Sequence, residues 1–196
     1  MMINPKYLAR LLPAVAALLM LAACATNPVT GDSDFVLMSE EQEISLGRKY
    51  SAEIVKQMPV YEDPQLADLV QRVGEQLASH SHRPELYYRF TVLDSTTVNA
   101  FALPGGYIYI TRGMLAYLNS EAELAAVLGH EIGHVTARHS VRQQSTATMT
   151  GLLGTVISAS TGIQGIDTLT DMAGTAIVRG YGREHELEAD RLGAEY

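Results

Sequence analysis

Apolar and polar positions change rhythm three times along the chain. After "SEEQ", the residues Ile44, Gly47, Ser51, Ile54, Val55 and Met58 recur at three- and four-residue intervals, which marks one face of a helix. Ser39 sits where an N-cap belongs, and Gln42 three positions on completes a capping box. Asp63 and Pro64 open a second helix, with Leu66, Leu69, Val70, Val73 and Leu77 at helical spacing. From Tyr87 the period shortens. "YYRFTVLD" and "VNAFALPGGYIYITRGML" read as strands, and Pro104, Gly105 and Gly106 divide the second run into a hairpin. Helical spacing returns at Ser120, an N-cap with Glu123 placed for a second capping box, followed by Leu124, Val127, Leu128, Ile132 and Val135. The pattern predicts an α+β chain, mainly α-helical, with a small sheet.

The first residues follow a different logic. Lys6 and Arg10 precede "LLPAVAALLMLAA", an apolar run too short to span a bilayer comfortably but suited to a signal-peptide core. A signal peptide is therefore expected over residues 1–23. Cys24, the single cysteine, follows in "LAAC" and has no partner for an intrachain disulfide. The segment resembles a bacterial lipoprotein signal, which implies a lipid on Cys24 and a lipidated tether over residues 24–38. Ala25 stands where lipoproteins kept at the inner membrane usually carry aspartate, so the resemblance leans toward an outer-membrane anchor facing the periplasm.

Composition narrows the function. The chain has 196 residues, 47% hydrophobic and 18% charged, enough for one globular core. A formal charge of −8, with no basic stripe and no aromatic RNA motif, argues against a nucleic-acid partner.

Residues 130–134 read "HEIGH". Side chains at i and i+4 share a helix face, so His130 and His134 are placed to grip one ion, and Glu131 is placed to take a proton from an activated water. The bland alternative is a pair of hydrogen-bonded core histidines beside a surface glutamate. A catalytic zinc needs one more protein ligand. "HExxHxxGxxH" does not supply it, because Ala137 and Ser140 stand where its glycine and histidine belong and His139 is one residue out of register.

A glutamate from a later helix remains, and "GREHELEADR" holds four carboxylates: Glu184, Glu186, Glu188 and Asp190. On a helical wheel Glu184, Glu188, Arg191 and Glu195 form a solvated stripe. Glu186 and Asp190 face the opposite way, beside Leu187 and Ala189, where two buried carboxylates need a cation or hydrogen bonds. Glu186 is read as the third ligand and Asp190 as the acceptor of a ligand histidine's free ring N–H; the wheel alone leaves the reverse assignment open. His139 and His185 are expected at the rim.

"HEIGH" followed by "EHELEADRLG" resembles the zinc metallopeptidases of the CAAX-prenyl-protease-like and HtpX-like family. "NPVTG", "SEEQEISLGR" and "NAFALPGGYIYITRGML" are similar to its periplasmic lipoprotein branch. The resemblance covers nearly all of the chain after Cys24. It implies a gluzincin-type core over residues 39–196 with one Zn(2+) per chain, ligands falling on His130, His134 and Glu186, and Glu131 as catalytic base. It also implies metalloendopeptidase activity in quality control of envelope or outer-membrane proteins. Family members continue beyond the helix in which this chain stops at Tyr196, so the resemblance implies an abbreviated domain, and the oxyanion helper is left open among Tyr181, Arg183 and His185.

Three further expectations are testable. An edge strand at Tyr107, Ile108, Tyr109 and Ile110 would pair with an extended peptide substrate. The Gly- and Thr-rich stretch from Thr146 to Gly182 is read as two small-residue helices or a cover over the cleft. The rival to an enzyme is a chaperone-like client-binding or assembly factor with a non-cleaving zinc site.

Overall fold

The structure, a computed structural model, describes residues 24–161 and 181–196. The expected signal peptide and most of the Gly- and Thr-rich stretch lie outside the described residues. Among the described residues no helix is long and apolar enough to cross a membrane.

Helix α1 spans Glu40–Gln57 and is closed by the capping box at Ser39: Gln42 N–H donates to Ser39 Oγ, and Ser39 N–H donates to Gln42 Oε1 at 2.9 Å. Helix α2, Pro64–Ala78, is capped by Asp63 Oδ1 accepting from Leu66 N–H at 3.1 Å, with Pro64 at its first turn. Strands β3 (Arg89–Leu93), β4 (Ala100–Leu103) and β5 (Tyr107–Thr111) follow. They lead through the short helix α3, Arg112–Tyr117, to helix α4, Glu121–Thr136, which carries the two histidines. Ser120 caps α4 as expected, but Glu123 reaches one residue further back than a capping box requires, accepting from Asn119 N–H at 2.6 Å. Helices α5, His139–Thr161, and α6, Arg183–Glu195, complete the described chain.

The expected hairpin is present, β4 antiparallel to β5 across the turn at Gly105 and Gly106, both with positive φ. Strand β3 adds to β5 in parallel, giving the order β3-β5-β4. This corrects the expected substrate strand. Tyr107, Ile108, Tyr109 and Ile110 lie on the central strand, where both ladders use their backbone donors and acceptors; the edges are β3 and β4. Periodicity marks a strand but not its neighbours.

Alternation along β5 assigns the two faces of the sheet. Ile108 and Ile110 join the main core with Val70 and Val73 of α2, Phe90 and Val92 of β3, and Leu124, Leu128 and Ile132 of α4. Tyr109 and Tyr107 face the other way, toward Tyr50 and Ile54 of α1 and its C-cap Met58, and Tyr109 Oη donates to Ser51 Oγ at 2.7 Å. The fold is thus a mixed helix-and-sheet layer structure with α4 pressed against the sheet by its apolar face.

The stretch read as a tether contains a two-stranded ribbon, β1 (Cys24–Thr26) antiparallel to β2 (Ser33–Phe35). It is fixed to the domain where Arg142 Nε meets Asp34 Oδ2 at 3.4 Å and where Leu37 N–H donates to Ser145 Oγ at 3.0 Å.

A buried ionic knot holds α1 to the end of α4. Glu43, 1% exposed, accepts from Arg83 Nη1 and Arg138 Nε, each at 2.8 Å. Burial alone would lower the Arg83 pKa, but Glu43 and then Glu40 outweigh it and hold the guanidinium above its ordinary value. Arg138 occupies the left-handed region with φ 55°. That conformation costs a non-glycine residue about 1 kcal/mol, and here it makes the sharp corner between α4 and α5.

Candidate metal centre

Helix α4 supplies the first two donors because Leu124, Leu128 and Ile132 turn one of its faces into the core and leave His130 and His134 on an adjoining face. Helix α6 supplies the third. It starts at Gly182 without a side-chain cap, and Glu184 and Glu186 in its first turn favour the positive end of the helix dipole. The two helices approach closely at glycines. A Cβ on Gly129 would lie 2.8 Å from the Gly193 carbonyl oxygen, and one on Gly193 would lie 2.6 Å from the His130 nitrogen. Sequence reasoning missed this requirement, although Gly129, just before the motif, and Gly133, within it, stand at helical spacing.

His130, His134 and Glu186 each offer one atom to a common point, all within 4.8 Å of one another. His130 Nε2 is 3.0 Å from His134 Nε2, and Glu186 Oε2 is 3.4 Å from the first and 3.9 Å from the second. Ligand atoms around a tetrahedral zinc at about 2.0–2.1 Å would be separated by roughly 3.3 Å, so the spacing fits. The chemistry of the donors fits as well. Asp190 Oδ1 stands 2.8 Å from His130 Nδ1, so His130 donates there and turns its Nε2 lone pair to the common point. Lone pairs converging in this way repel unless a cation or a proton lies between them.

The four carboxylates of "GREHELEADR" divide differently from the wheel. Glu186 and Asp190 do face α4, but they stay open to solvent, with side chains 43% and 67% exposed. Glu184 is exposed as expected. Glu188 is not part of a solvated stripe: its Oε2 meets His139 Nε2 at 3.0 Å and Arg142 Nη1 at 3.3 Å. Burial alone would raise its pKa, but His139 and then Arg142 outweigh that and hold the carboxyl below its ordinary range. His139 is not at the rim either. It is fully buried, and its Nδ1 lies 2.8 Å from His134 Nδ1. The wheel of α6 had no means of showing this, because both partners come from α5, which the Arg138 corner folds back beneath α4.

Burial pushes the Glu131 carboxyl up to about 8, repulsion from Glu186 adds to the shift, and a hydrogen bond with the Ala102 backbone on β4 opposes it. His134 is pushed down to about 2 by burial, then by His130, His139 and His185. His134 therefore favours a neutral imidazole with a free lone pair.

The three candidate oxyanion helpers separate. Tyr181 stacks on His134 with ring centroids 4.1 Å apart, and its hydroxyl is engaged by Ser140 Oγ at 2.5 Å. Burial, partly opposed by the Ser140 hydrogen bond, raises its pKa to about 12, so the phenol stays neutral. His185 stacks on His139 at 4.3 Å, and Arg183 is exposed. Cys24 begins β1, its backbone paired with Phe35.

The chain is similar to known proteases. The chain is 33% identical over 179 residues to the beta-barrel assembly-enhancing protease of Escherichia coli (strain K12), covering 87% of this chain and 37% of that protein. It is 32% identical over 118 residues to the mitochondrial metalloendopeptidase OMA1 of Arabidopsis thaliana, covering 59% of this chain and 23% of that protein. To the metalloendopeptidase OMA1 of Bos taurus it is 26% identical over 185 residues, covering 86% of this chain and 35% of that protein. The chain thus spans little more than a third of the length of the assembly-enhancing protease it matches. The model of peptidase family M48 matches residues 64–196, more than half of the chain, and the chain belongs to that family.

Proposed function

We propose that the chain carries the catalytic centre of a zinc-dependent endopeptidase of gluzincin type, acting on proteins of the bacterial cell envelope. The observation that carries this reading is the convergence of His130 Nε2, His134 Nε2 and Glu186 Oε2 beside the Glu131 carboxyl. Membership of a metallopeptidase family implies a metal, and the donor set of two imidazoles and one carboxylate suits zinc with a position left for water or substrate. One zinc per chain, when bound, supplies Lewis acidity toward the attacking water and the scissile carbonyl.

The residues divide the remaining work. His130, His134 and Glu186 hold the ion. Asp190 fixes the ring of His130 through its Nδ1. Glu131 takes the proton from the attacking water at a carboxylate oxygen and passes it to the departing amine nitrogen. Its burial and its contact with Ala102 aim it along β4.

Strand β4 replaces the central strand as the substrate edge. Among the described residues it pairs only with β5, and its Ala102 backbone reaches Glu131, so an extended peptide added there would run past the base.

The envelope assignment draws on the name of the Escherichia coli relative and on the lipoprotein-like "LAAC" segment, which supports a periplasmic protein anchored through a lipid on Cys24. The test is Glu131→Gln in the full-length protein. It is expected to keep zinc and lose cleavage of unfolded envelope protein. Equal turnover by the variant would overturn the enzyme reading, and client binding with no cleavage by the parent would favour an assembly factor.

A further inference from the structure

The proposed centre leaves one buried arrangement unused. His139 lies at the start of α5, fully buried, with one ring nitrogen on His134 and the other on Glu188. The Nδ1 atoms of the two histidines stand 2.8 Å apart, so one donates and the other accepts. Glu188 decides which.

As a carboxylate anchored by Arg142, Glu188 Oε2 can only accept from His139 Nε2, 3.0 Å away. A neutral His139 with its hydrogen on Nε2 has a lone pair on Nδ1 and must accept from His134 Nδ1–H. His134 then has its lone pair on Nε2, the atom that faces His130 Nε2 and Glu186. The reverse tautomers would set a His139 lone pair against the Glu188 carboxylate and place a hydrogen on His134 Nε2, where the ion belongs.

We propose that His139 and Glu188 are positioning residues for the metal centre: Glu188 sets the tautomer of His139, and His139 sets the tautomer and ring orientation of His134. Asp190 does this for His130 in one contact, whereas His134 Nδ1 meets His139, and this imidazole is the intermediary to the Glu188 carboxylate. The Arg138 corner makes the arrangement possible, because the left-handed residue there turns the chain so that His139 returns under His134 only five positions later. Arg142 ties the far end to the N-terminal ribbon through Asp34.

The inference rests on the zinc reading above, and zinc affinity separates their failures. Zinc dissociation constants are measured by chelator competition on the full-length protein, beside Glu188→Met, His139→Phe and a Glu184→Met control. Nitrogen NMR of the imidazoles of the metal-free parent reports the His134 tautomer without any variant.

The expected result is tight binding of one zinc by the parent and the control, binding weakened about 10- to 100-fold in Glu188→Met and His139→Phe, and a metal-free His134 with its hydrogen on Nδ1. Undiminished affinity in both variants, or a metal-free His134 with its hydrogen on Nε2, overturns the positioning role while leaving the zinc centre standing. A parent that binds no zinc overturns both. Should Glu188→Met unfold, the imidazole nitrogen NMR of the metal-free parent decides: a hydrogen on His134 Nδ1 supports the assignment and a hydrogen on Nε2 contradicts it.

Discussion

A Cβ on Gly133 of α4 would lie 2.8 Å from the carbonyl oxygen of Ala189 on α6, closer than side chains and backbone approach in folded proteins. The two helices that carry the donors are therefore spaced by the absence of a side chain. Gly133→Ala gains about 1 kcal/mol in helix propensity, but overpacking against backbone costs typically 1–3 kcal/mol and pushes α6 outward, taking Glu186 with it. The expected outcome is a lower melting temperature and weakened zinc binding. Gly182→Ala, where a Cβ would meet nothing within 4 Å, is the control and is expected to keep zinc binding, with only the small loss of stability that alanine brings at an N-cap.

Asp190 is 67% exposed, so removing it costs the fold little. Its contact with His130 Nδ1 is nevertheless what orients that ring. Asp190→Ala is expected to keep the parent's urea midpoint and to weaken zinc binding about 10- to 100-fold, measured by chelator competition.

The ionic knot predicts the opposite profile. Glu43→Ala leaves the Arg83 and Arg138 guanidiniums buried without their shared carboxylate, an error that typically costs 3–5 kcal/mol. Urea unfolding should show a loss of that size. The exposed pair of Glu53 and Lys56 contributes about 0–1 kcal/mol at most, so Glu53→Ala should leave the curve almost unmoved.

Alkaline stability follows from Tyr88, whose pKa burial raises from 10.0 to about 12. Below pH 10 both folded and unfolded chains keep the phenol proton and the group has no effect on stability. Between pH 10 and 12 the unfolded chain releases it and the folded chain does not, so this group costs stability at up to about 1.4 kcal/mol per pH unit. Tyr88→Phe should flatten that part of the profile, as read by urea midpoints across the range.

Local patterns in the sequence carried much of the fold. The caps at Ser39, Asp63 and Ser120, the hairpin turn at Gly105 and the helix bearing His130 and His134 depend on neighbours within a few residues, and each formed where its pattern lay. What depended on distant partners was not legible. Tyr107 to Ile110 read as an edge because nothing in the run reveals that β3, some eighteen residues earlier, adds to its far side in parallel. The wheel of α6 correctly turned Glu186 and Asp190 toward α4. It placed Glu188 in solvent because a wheel contains one helix and the partners of Glu188 sit on α5. The left-handed Arg138 that brings α5 there carries no glycine or asparagine to announce it.

Zinc stoichiometry by elemental analysis, on the parent beside Glu186→Ala and Glu184→Ala, tests the central claim most directly. The account requires one zinc per chain in the parent and in Glu184→Ala, and its loss in Glu186→Ala. Zinc retained without Glu186, or lost without Glu184, would contradict it.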